Sequence, residues 1–177
     1  MLGGSLPQGF AASDVVHLMK YLKKRKIGFI VDCPGSVMRD VIEGEPLLIK
    51  PNLDEFTEMT QRNPKNLMAV ENLAKKLIDR IPFVCVSSVD GGTLLVTRSG
   101  SYFGRIPEVK IESTVGAGDS MVGAMAAQIY RKNFSAEDLL RWSLAASAAT
   151  LSHPGTAMGG AREMRRLYKE TSVRRLR

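Results

Sequence analysis

The chain has 177 residues, of which 44% are hydrophobic and 24% are charged. These values are ordinary for a globular protein, and the length is most simply that of one domain with a substantial buried core. The longest apolar runs are only a few residues, far short of the roughly 20 that span a bilayer, so a membrane-embedded protein is excluded.

The formal net charge of +7 is concentrated near the C-terminus. Residues 162–177 contain seven arginines and lysines but only two glutamates. Such a segment can bind nucleic acid, but few aromatic residues accompany these cations, and cations are also favourable at helix C-termini. A solvated helix end is therefore favoured over a nucleic-acid partner.

The two cysteines, Cys33 and Cys85, lie within or at the end of apolar, β-prone segments. Buried free thiols are favoured over a disulfide or a metal-binding pair, as in proteins of reducing compartments. A cytoplasmic location is expected on this ground.

Helical and strand-like patterns alternate along the chain. In chain order they predict a helix at 14–25, a strand at 27–32, a helix at 36–42, a strand at 47–49, helices at 54–60 and 66–80, strands at 82–87 and 93–97, a hairpin partner at 101–109, and helices at 118–131, 136–151 and 161–170. Ser13 and Ser135 are the expected N-caps of the first helix and of the helix at 136–151. Strands separated by helices imply parallel βαβ units, with helices on both faces of the sheet.

Polar residues follow three of the predicted strands. Asp32, Lys50 and Ser87 come at carboxyl ends, where ligands of parallel sheets bind. Lys50 suits a phosphate as a mobile point charge. Asn52 and Glu55 would face the same way on a helical turn and could help arrange Mg²⁺, which takes one or two protein oxygens together with water and phosphate oxygens. For this segment taken alone, a strand end followed by an acidic N-cap turn is slightly favoured.

Residues 114–124 carry the strongest chemical signal. Gly116 and Gly118 run directly into Asp119, which opens an alanine-rich helix. Glycines let a ligand approach the main chain closely, and a helix N-terminus adds unpaired N–H groups and the positive end of the helix dipole, so the turn can hold phosphate. A carboxylate beside it can accept the proton of a hydroxyl that receives phosphate. The alternative is a tight turn in which Asp119 only stabilises the helix start.

Four segments occur together in order. They are Gly4-Ser5-Leu6-Pro7-x-Gly9, Asp32 with Pro34-Gly35, Lys50-Pro51-Asn52-x-x-Glu55, and Thr114-Val115-Gly116-Ala117-Gly118-Asp119-Ser120. The series resembles the ribokinase-like PfkB family of carbohydrate kinases, in its phosphosugar branch, over essentially the whole chain. The resemblance implies an α/β, three-layer αβα ribokinase-like fold with a mostly parallel sheet and a C-terminal-side β-hairpin. It also implies that residues 1–177 form a single domain, the C-terminal nucleotide-binding portion of such a kinase, with the N-terminal strands and lid missing.

The reaction implied by the resemblance is ATP-dependent phosphorylation of a ketohexose phosphate on a primary hydroxyl. Fructose 6-phosphate, fructose 1-phosphate and tagatose 6-phosphate are the candidate acceptors. Asp119 would be the base and would contact the acceptor, and the anion hole would be formed by Gly116, Ala117 and Gly118. Ser5 matches a position near the sugar phosphate.

The resemblance also implies sites for the nucleotide and for two cations. The nucleotide site would be lined by Lys50, Asn52, Ser87, Gly92 and Ser147. Mg²⁺, bound with ATP, would be organised by Asn52 and Glu55. A monovalent cation, K⁺, would be held by oxygens around Ser113, Val115, Ala149, Ser152 and Gly155.

Two departures from the family pattern leave alternatives open. Val89 stands where the family usually has glycine and could crowd the nucleotide, and family members extend further on the N-terminal side. The alternative is a truncated, non-catalytic nucleotide-binding module, or a half-enzyme that needs a partner; a basic nucleic-acid-binding protein is less favoured. The partners expected are ATP, a phosphosugar, and either a second copy in a homodimer or the missing N-terminal portion.

Overall fold

Seven strands and seven α-helices make up the computed structural model, which describes residues 1–132 and 134–177. The strands follow one another in chain order in a single sheet. Within these residues no helix is long and apolar enough to cross a membrane. The chain divides into two compact units, Met1–Asp90 with Leu94–Ser99 and Gly91–Thr93 with Gly100–Arg177. A single domain over residues 1–177 stays a prediction.

The first unit is built on parallel strands, each paired with the next. They are β1 (Leu2–Gly3), β2 (Ile30–Asp32), β3 (Leu48–Ile49) and β4 (Phe83–Val89). The helices between them are α1 (Ala12–Lys24), α2 (Gly35–Val41), α3 (Leu53–Thr60) and α4 (Leu67–Lys75), and β5 (Gly92–Thr97) follows β4. This arrangement confirms the predicted α/β class with a mostly parallel sheet.

Consecutive side chains of the central strands are buried. Leu48 and Ile49 of β3, and Val84, Cys85 and Val86 of β4, are all 0% exposed. Successive side chains of a strand point to opposite faces, so both faces of β3 and β4 are covered. Full burial of each such aliphatic side chain contributes about 1.5–3 kcal/mol.

The second unit surrounds one buried helix. It contains the antiparallel pair β6 (Gly100–Arg105) and β7 (Ser172–Arg175) and the helices α5 (Ala117–Arg131), α6 (Ala136–Leu151) and α7 (Ala161–Glu170). Every residue from Ser143 to Leu151 of α6 is buried. Ala145, Ala148 and Ala149 form a buried cluster with Leu167 of α7. A helical segment that is buried on all sides belongs to a core, as this half of α6 does. Its alanines have small side chains, which let α7 approach it closely.

Several sequence-based boundaries are confirmed, and one cap is wrong. Helices α6 and α7 coincide with the predictions, and the Ser135 hydroxyl accepts from the Asp138 N–H as expected. Ser13, however, is not an N-cap: α1 begins two residues earlier than predicted, after the N-cap Ala11, and the Asp14 carboxylate accepts from the Ala11 N–H at 2.8 Å. Ser13 therefore lies inside the first turn, and the polar contact at the helix start is made by the third helical residue, Asp14, whose carboxylate also lies near the positive end of the helix dipole.

Other elements are shorter than expected or were not expected at all. The strand predicted at 27–32 spans Ile30–Asp32, and the helix predicted at 66–80 ends at Lys75. The strands β1 and β7 were not predicted. β1 has only two residues, and three of the four residues of β7 are exposed, so neither strand carries an apolar pattern. β7 also places Arg174 in the sheet, with its guanidinium 5.6 Å from the Phe103 ring centroid.

A polar contact joins α6 and α7. The Tyr168 hydroxyl donates to Asp138, and the Tyr168 ring stacks on Trp142 with a centroid separation of 4.4 Å. This hydrogen bond, followed by the one from Ser135, lowers the pKa of the Asp138 carboxyl below its usual value, and the same contact raises the pKa of the Tyr168 hydroxyl.

Replacing Tyr168 with phenylalanine should lower the free energy of unfolding by about 1 kcal/mol near neutral pH, since both groups of the lost hydrogen bond are partly exposed to water. Because the folded-state pKa of Asp138 is lowered, its contribution is present above the ordinary carboxyl pKa and is lost as the pH falls through the lowered value. The difference between the wild type and the variant should therefore shrink below about pH 4.

Urea unfolding over a series of pH values measures this difference. Tyr130→Phe is the matched control, because Tyr130 is 87% exposed and its hydroxyl removal should leave stability unchanged. A Tyr168→Phe variant as stable as the Tyr130→Phe control at neutral pH would contradict the assignment.

Candidate functional site

An ion pair lies at the carboxyl ends of β2 and β3. The Lys50 ammonium is 3.2 Å from Oδ1 of Asp32, and the two side chains are only 8% and 18% exposed. The Lys50 N–H donates to the Val31 carbonyl, so the residue that follows β3 is held beside β2. The sequence places both Lys50 and Asp32 at strand ends where ligands bind, and it predicts that Lys50 approaches the phosphates of a nucleotide. It does not reveal that Asp32 is the partner of Lys50.

Asn52 and Glu55 form a reciprocal cap at the start of α3. The Glu55 N–H donates to Oδ1 of Asn52 at 2.9 Å, and the Asn52 N–H donates to Oε2 of Glu55 at 2.8 Å. This capping box is the acidic N-cap turn that the sequence slightly favoured. These hydrogen bonds do not use Oε1 of Glu55, so the pair keeps a carboxylate oxygen suited to Mg²⁺ or to one of its waters.

Ser87 lies beside this cap. Its N–H donates to the Pro51 carbonyl at 3.0 Å, and it forms a parallel bridge with Asn52. The structure therefore brings Ser87, Asn52 and Lys50 together at one edge of the first unit. Val89, the departure from the family pattern that could crowd a nucleotide, is 1% exposed, so its side chain packs within the protein.

The two thiols of the first unit are free and buried, as predicted. Burial first, and then the nearby charges of Asp32 and Glu55, raise the pKa of the Cys33 thiol to about 12. Burial also raises the pKa of the Cys85 thiol to about 12, against the opposing effect of Lys50. Both remain protonated at neutral pH and so are not nucleophiles.

In the second unit the glycine turn opens α5. Gly116 is the N-cap with a φ of 79°, a left-handed conformation that glycine adopts without strain. Ala117, Gly118 and Asp119 form the first turn, where helical geometry leaves N–H groups without intrahelical carbonyl partners; the Ala117 N–H makes a long contact of 3.5 Å to the Thr114 carbonyl. The Asp119 side chain is exposed. The turn thus combines N–H donors, the positive end of the α5 dipole and an accessible carboxylate.

A hydroxyl pair that the sequence did not reveal ties this turn to α6. Oγ of Ser120 lies 2.6 Å from Oγ1 of Thr150, a residue that is 1% exposed. Thr150 Oγ1 also accepts from the Gly159 N–H at 3.3 Å. A Cβ at Gly159 would lie 2.3 Å from the Cβ of Ala149, so this approach requires glycine. The residue next to Asp119 is therefore held by a buried partner.

Three of the five residues predicted around K⁺ meet directly. The Ser113 hydroxyl donates to the Gly155 carbonyl at 2.7 Å and accepts from the Val115 N–H at 3.2 Å. Ala149 is fully buried, and the Ser152 hydroxyl donates to the Ala148 carbonyl in the last turn of α6. The chain thus folds Ser113, Val115 and Gly155 into one loop cluster joined by these hydrogen bonds.

Ser5, the residue predicted near the sugar phosphate, lies apart from the groups described above in sequence. Ser5 lines a cavity of about 560 Å³ in the first unit, together with Phe10, Pro34, Arg39 and Asp40 among others. Arg39 is a cation that the sequence interpretation did not include in the site.

Two predicted nucleotide contacts belong to the second unit. Ser147 is 7% exposed on α6. Packing requires glycine at position 92, because a Cβ there would lie 2.5 Å from the Gly104 carbonyl oxygen and from the Phe103 ring. Both positions are therefore determined at least in part by packing.

Among residues 1–132 and 134–177, no three His, Cys, Asp or Glu side chains gather in a way that could hold a metal ion by themselves. Mg²⁺ in phosphate chemistry usually takes only one or two protein oxygens and completes its shell with water and phosphate. The oxygens of Asn52 and Glu55 therefore fit a Mg²⁺ that arrives with a nucleotide, and they do not fit a metal held by protein alone.

Comparison with known proteins gives relatives over almost the whole chain. This chain is 31% identical over 171 residues to the ATP-dependent 6-phosphofructokinase isozyme 2 of Escherichia coli strain K12, and the alignment covers 95% of this chain and 55% of that protein. It is 28% identical over 177 residues to the 1-phosphofructokinase of Bacillus subtilis strain 168, covering 99% of this chain and 57% of that protein. The chain thus spans little more than half the length of these curated relatives.

A solved structure and a family model agree with these relatives. The fold matches a crystal structure of phosphofructokinase-2 from Escherichia coli in complex with potassium, with a TM-score of 0.87 and 30% identity, covering 95% of this chain and 55% of that one. The model of the pfkB family carbohydrate kinases matches residues 1–161. With all but its last residues matched, the chain belongs to the pfkB family of carbohydrate kinases.

Proposed function

We propose that this chain supplies the nucleotide-binding and phosphoryl-transfer groups of a phosphosugar kinase. The observation that carries the proposal is the start of α5, where the left-handed Gly116 and the first-turn N–H groups accompany the exposed carboxylate of Asp119. Transfer of phosphate needs positioning and electrostatic stabilisation more than covalent chemistry, and this turn offers both an anion cradle and a base.

Asp119 is the proposed base. A primary hydroxyl of the acceptor attacks the γ-phosphorus of ATP and passes its proton to the Asp119 carboxylate. The bond from the γ-phosphorus to the bridging oxygen breaks, and ADP leaves with the electron pair. The N–H groups of Ala117 and Gly118 would stabilise the charge on the transferring phosphoryl oxygens.

The first unit supplies the proposed nucleotide groups. Lys50 would face the phosphates of ATP, with Asp32 holding its ammonium in place. Mg²⁺, bound through Asn52 and Glu55, would neutralise charge on the phosphate oxygens. Ser87 forms a parallel bridge with Asn52 at the same edge and would line the nucleotide site. The nucleotide contacts of Gly92 and Ser147 stay predictions.

The proposed acceptor is a ketohexose phosphate. Its support is that the matched relatives are phosphofructokinases and that Ser5 and Arg39 line one cavity, where a guanidinium suits a phosphate group. Fructose 6-phosphate, fructose 1-phosphate and tagatose 6-phosphate remain the candidates. A second copy or a further N-terminal portion would complete the acceptor site, since the relatives are nearly twice as long.

The decisive measurement combines ATP binding with phosphoryl transfer to each of the three sugar phosphates. We expect Asp119→Asn to lower turnover by about 10²–10⁴-fold, because the proton acceptor is lost, while ATP affinity stays within about twofold. Glu112→Gln is the matched control, as Glu112 is an exposed carboxylate that pairs with Lys110 and has no role in transfer. Equal turnover in Asp119→Asn and the control would remove Asp119 from the mechanism. Binding of ATP without any turnover by the wild type would favour the non-catalytic module or half-enzyme instead.

A K⁺ site around Ser113 gives a separate prediction, supported by the potassium complex of the matched structure and by the loop cluster. KCl should raise the unfolding midpoint above its value in choline chloride of equal ionic strength, since an ion that binds only the folded state stabilises it. Ser113→Ala should abolish most of this difference, because it removes the hydroxyl that joins Gly155 and Val115.

The control for the K⁺ prediction is Ser13→Ala, an exposed serine of α1 remote in sequence from this loop. It should keep the full KCl effect in differential scanning fluorimetry. A wild type with the same midpoint in KCl and in choline chloride would exclude K⁺ binding at this loop.

A further inference from the structure

A cavity of about 380 Å³ lies in the first unit at the amino ends of its strands. Phe29, Leu47 and Pro82 line it, and each stands immediately before one of the strands β2, β3 and β4. Asp32 and Lys50 lie at the opposite ends of β2 and β3. The cavity is therefore distinct from the groups proposed for phosphoryl transfer, and its volume is within the range of small-molecule sites.

The inner wall of the cavity is apolar. Met19 of α1 contributes a side chain that is 2% exposed, and Ile27 lies half exposed at the opening. Gly28 lies against this wall, because a Cβ there would lie 2.8 Å from Cδ2 of Leu47 and would require the Leu47 side chain to shift. Water against such a wall is easily displaced, which favours an apolar group of a ligand.

The opening is cationic. The side chains of Lys23, Lys26, Arg80 and Arg98 line the cavity, against the carboxylates of Glu45 and Asp79. The lining therefore carries two more cations than carboxylates, and one of these cations, Arg80, is also paired with Glu43 at 3.0 Å. The remaining excess is positive, and a concave site with one sign of charge attracts counter-ions.

The pairing of these charges decides which cations face a ligand. Glu45 pairs with Lys23 and lies 3.8 Å from Arg80, and the contact with Lys23 lowers the pKa of its carboxyl. Arg98 donates to the main-chain carbonyl of Asp79 at 3.1 Å, which leaves its charge uncompensated. Within the part of the chain that the structure describes, neither Lys26 nor Arg98 forms an ion pair with a carboxylate.

We propose that this cavity is a second ligand site, specific for a small amphipathic organic anion that joins an apolar ring or short chain to one carboxylate, phosphate or sulfonate group. The apolar part occupies the wall at Ile27 and Leu47, and the anionic group faces Lys26 and Arg98. A free sugar phosphate does not fit, because its hydroxyl groups would lie unpaired against the apolar wall. The site does not depend on the proposed kinase activity, since none of its residues takes part in phosphoryl transfer.

The probe is 8-anilinonaphthalene-1-sulfonate, an aromatic anion whose fluorescence reports binding, and its neutral analogue is N-phenyl-1-naphthylamine. Lys26→Glu combined with Arg98→Glu should raise the Kd of the sulfonate about tenfold, since two attractive contacts become repulsive, while the Kd of the neutral dye changes less than about twofold. Ile27→Ser should weaken both dyes.

The matched control is Lys20→Glu combined with Lys24→Glu, which makes the same change of net charge on exposed positions of α1 that do not line the cavity. It should change the Kd of the sulfonate less than about twofold. Equal weakening by both pairs, or no weakening by the cavity pair, would overturn the proposal. Near-UV circular dichroism verifies the fold, and Lys26→Glu alone, with an expected effect of about threefold, replaces the pair if Arg98→Glu perturbs it.

Discussion

Burial of β3 and β4 on both faces is the constraint on which the first unit depends. With consecutive residues of both strands excluded from water, polar side chains are confined to the carboxyl-terminal region, as with Lys50 after β3 and with Ser87 and Ser88 in the last part of β4. Lys50 and Asp32 illustrate the result, because each charge is nearly buried and each is the partner of the other. Desolvation of such a pair offsets much of its attraction, so its main effect is to hold an ammonium in one place rather than to stabilise the fold.

The second unit meets the same constraint with a helix instead of a strand. In the buried half of α6, Ser143 donates to the Leu140 carbonyl and Thr150 pairs with the Ser120 hydroxyl. That hydroxyl pair attaches the start of α5 to α6 at Ser120, the residue next to Asp119. Groups that act on a developing charge are most effective when they are held in place before the reaction, and the packing of α5 on α6 supplies this rigidity.

The positive charge of the chain has two structural uses. Part of it marks the edge strand β7, where Arg174 lies against Phe103 and where charged side chains discourage pairing with a further strand. Another part surrounds the cavity at the amino ends of β2 to β4. Neither use was visible in the total of +7, because a net charge does not say which face of a fold carries it.

The sequence by itself determined the alternation of strands and helices, the bounds of α6 and α7, and the family, because these depend on local periodicity and on short motifs. It left open whether Asn52 and Glu55 form a cap or prepare a metal site, since both need the same two residues three positions apart. It missed β1 and β7, and it misplaced the cap of α1, which is Ala11 with its N–H bonded to Asp14 rather than Ser13. Only the tertiary structure decided that Lys50 faces Asp32 and that Ser120 meets Thr150, because these partners are far apart in the chain and come together only when the strands and helices pack.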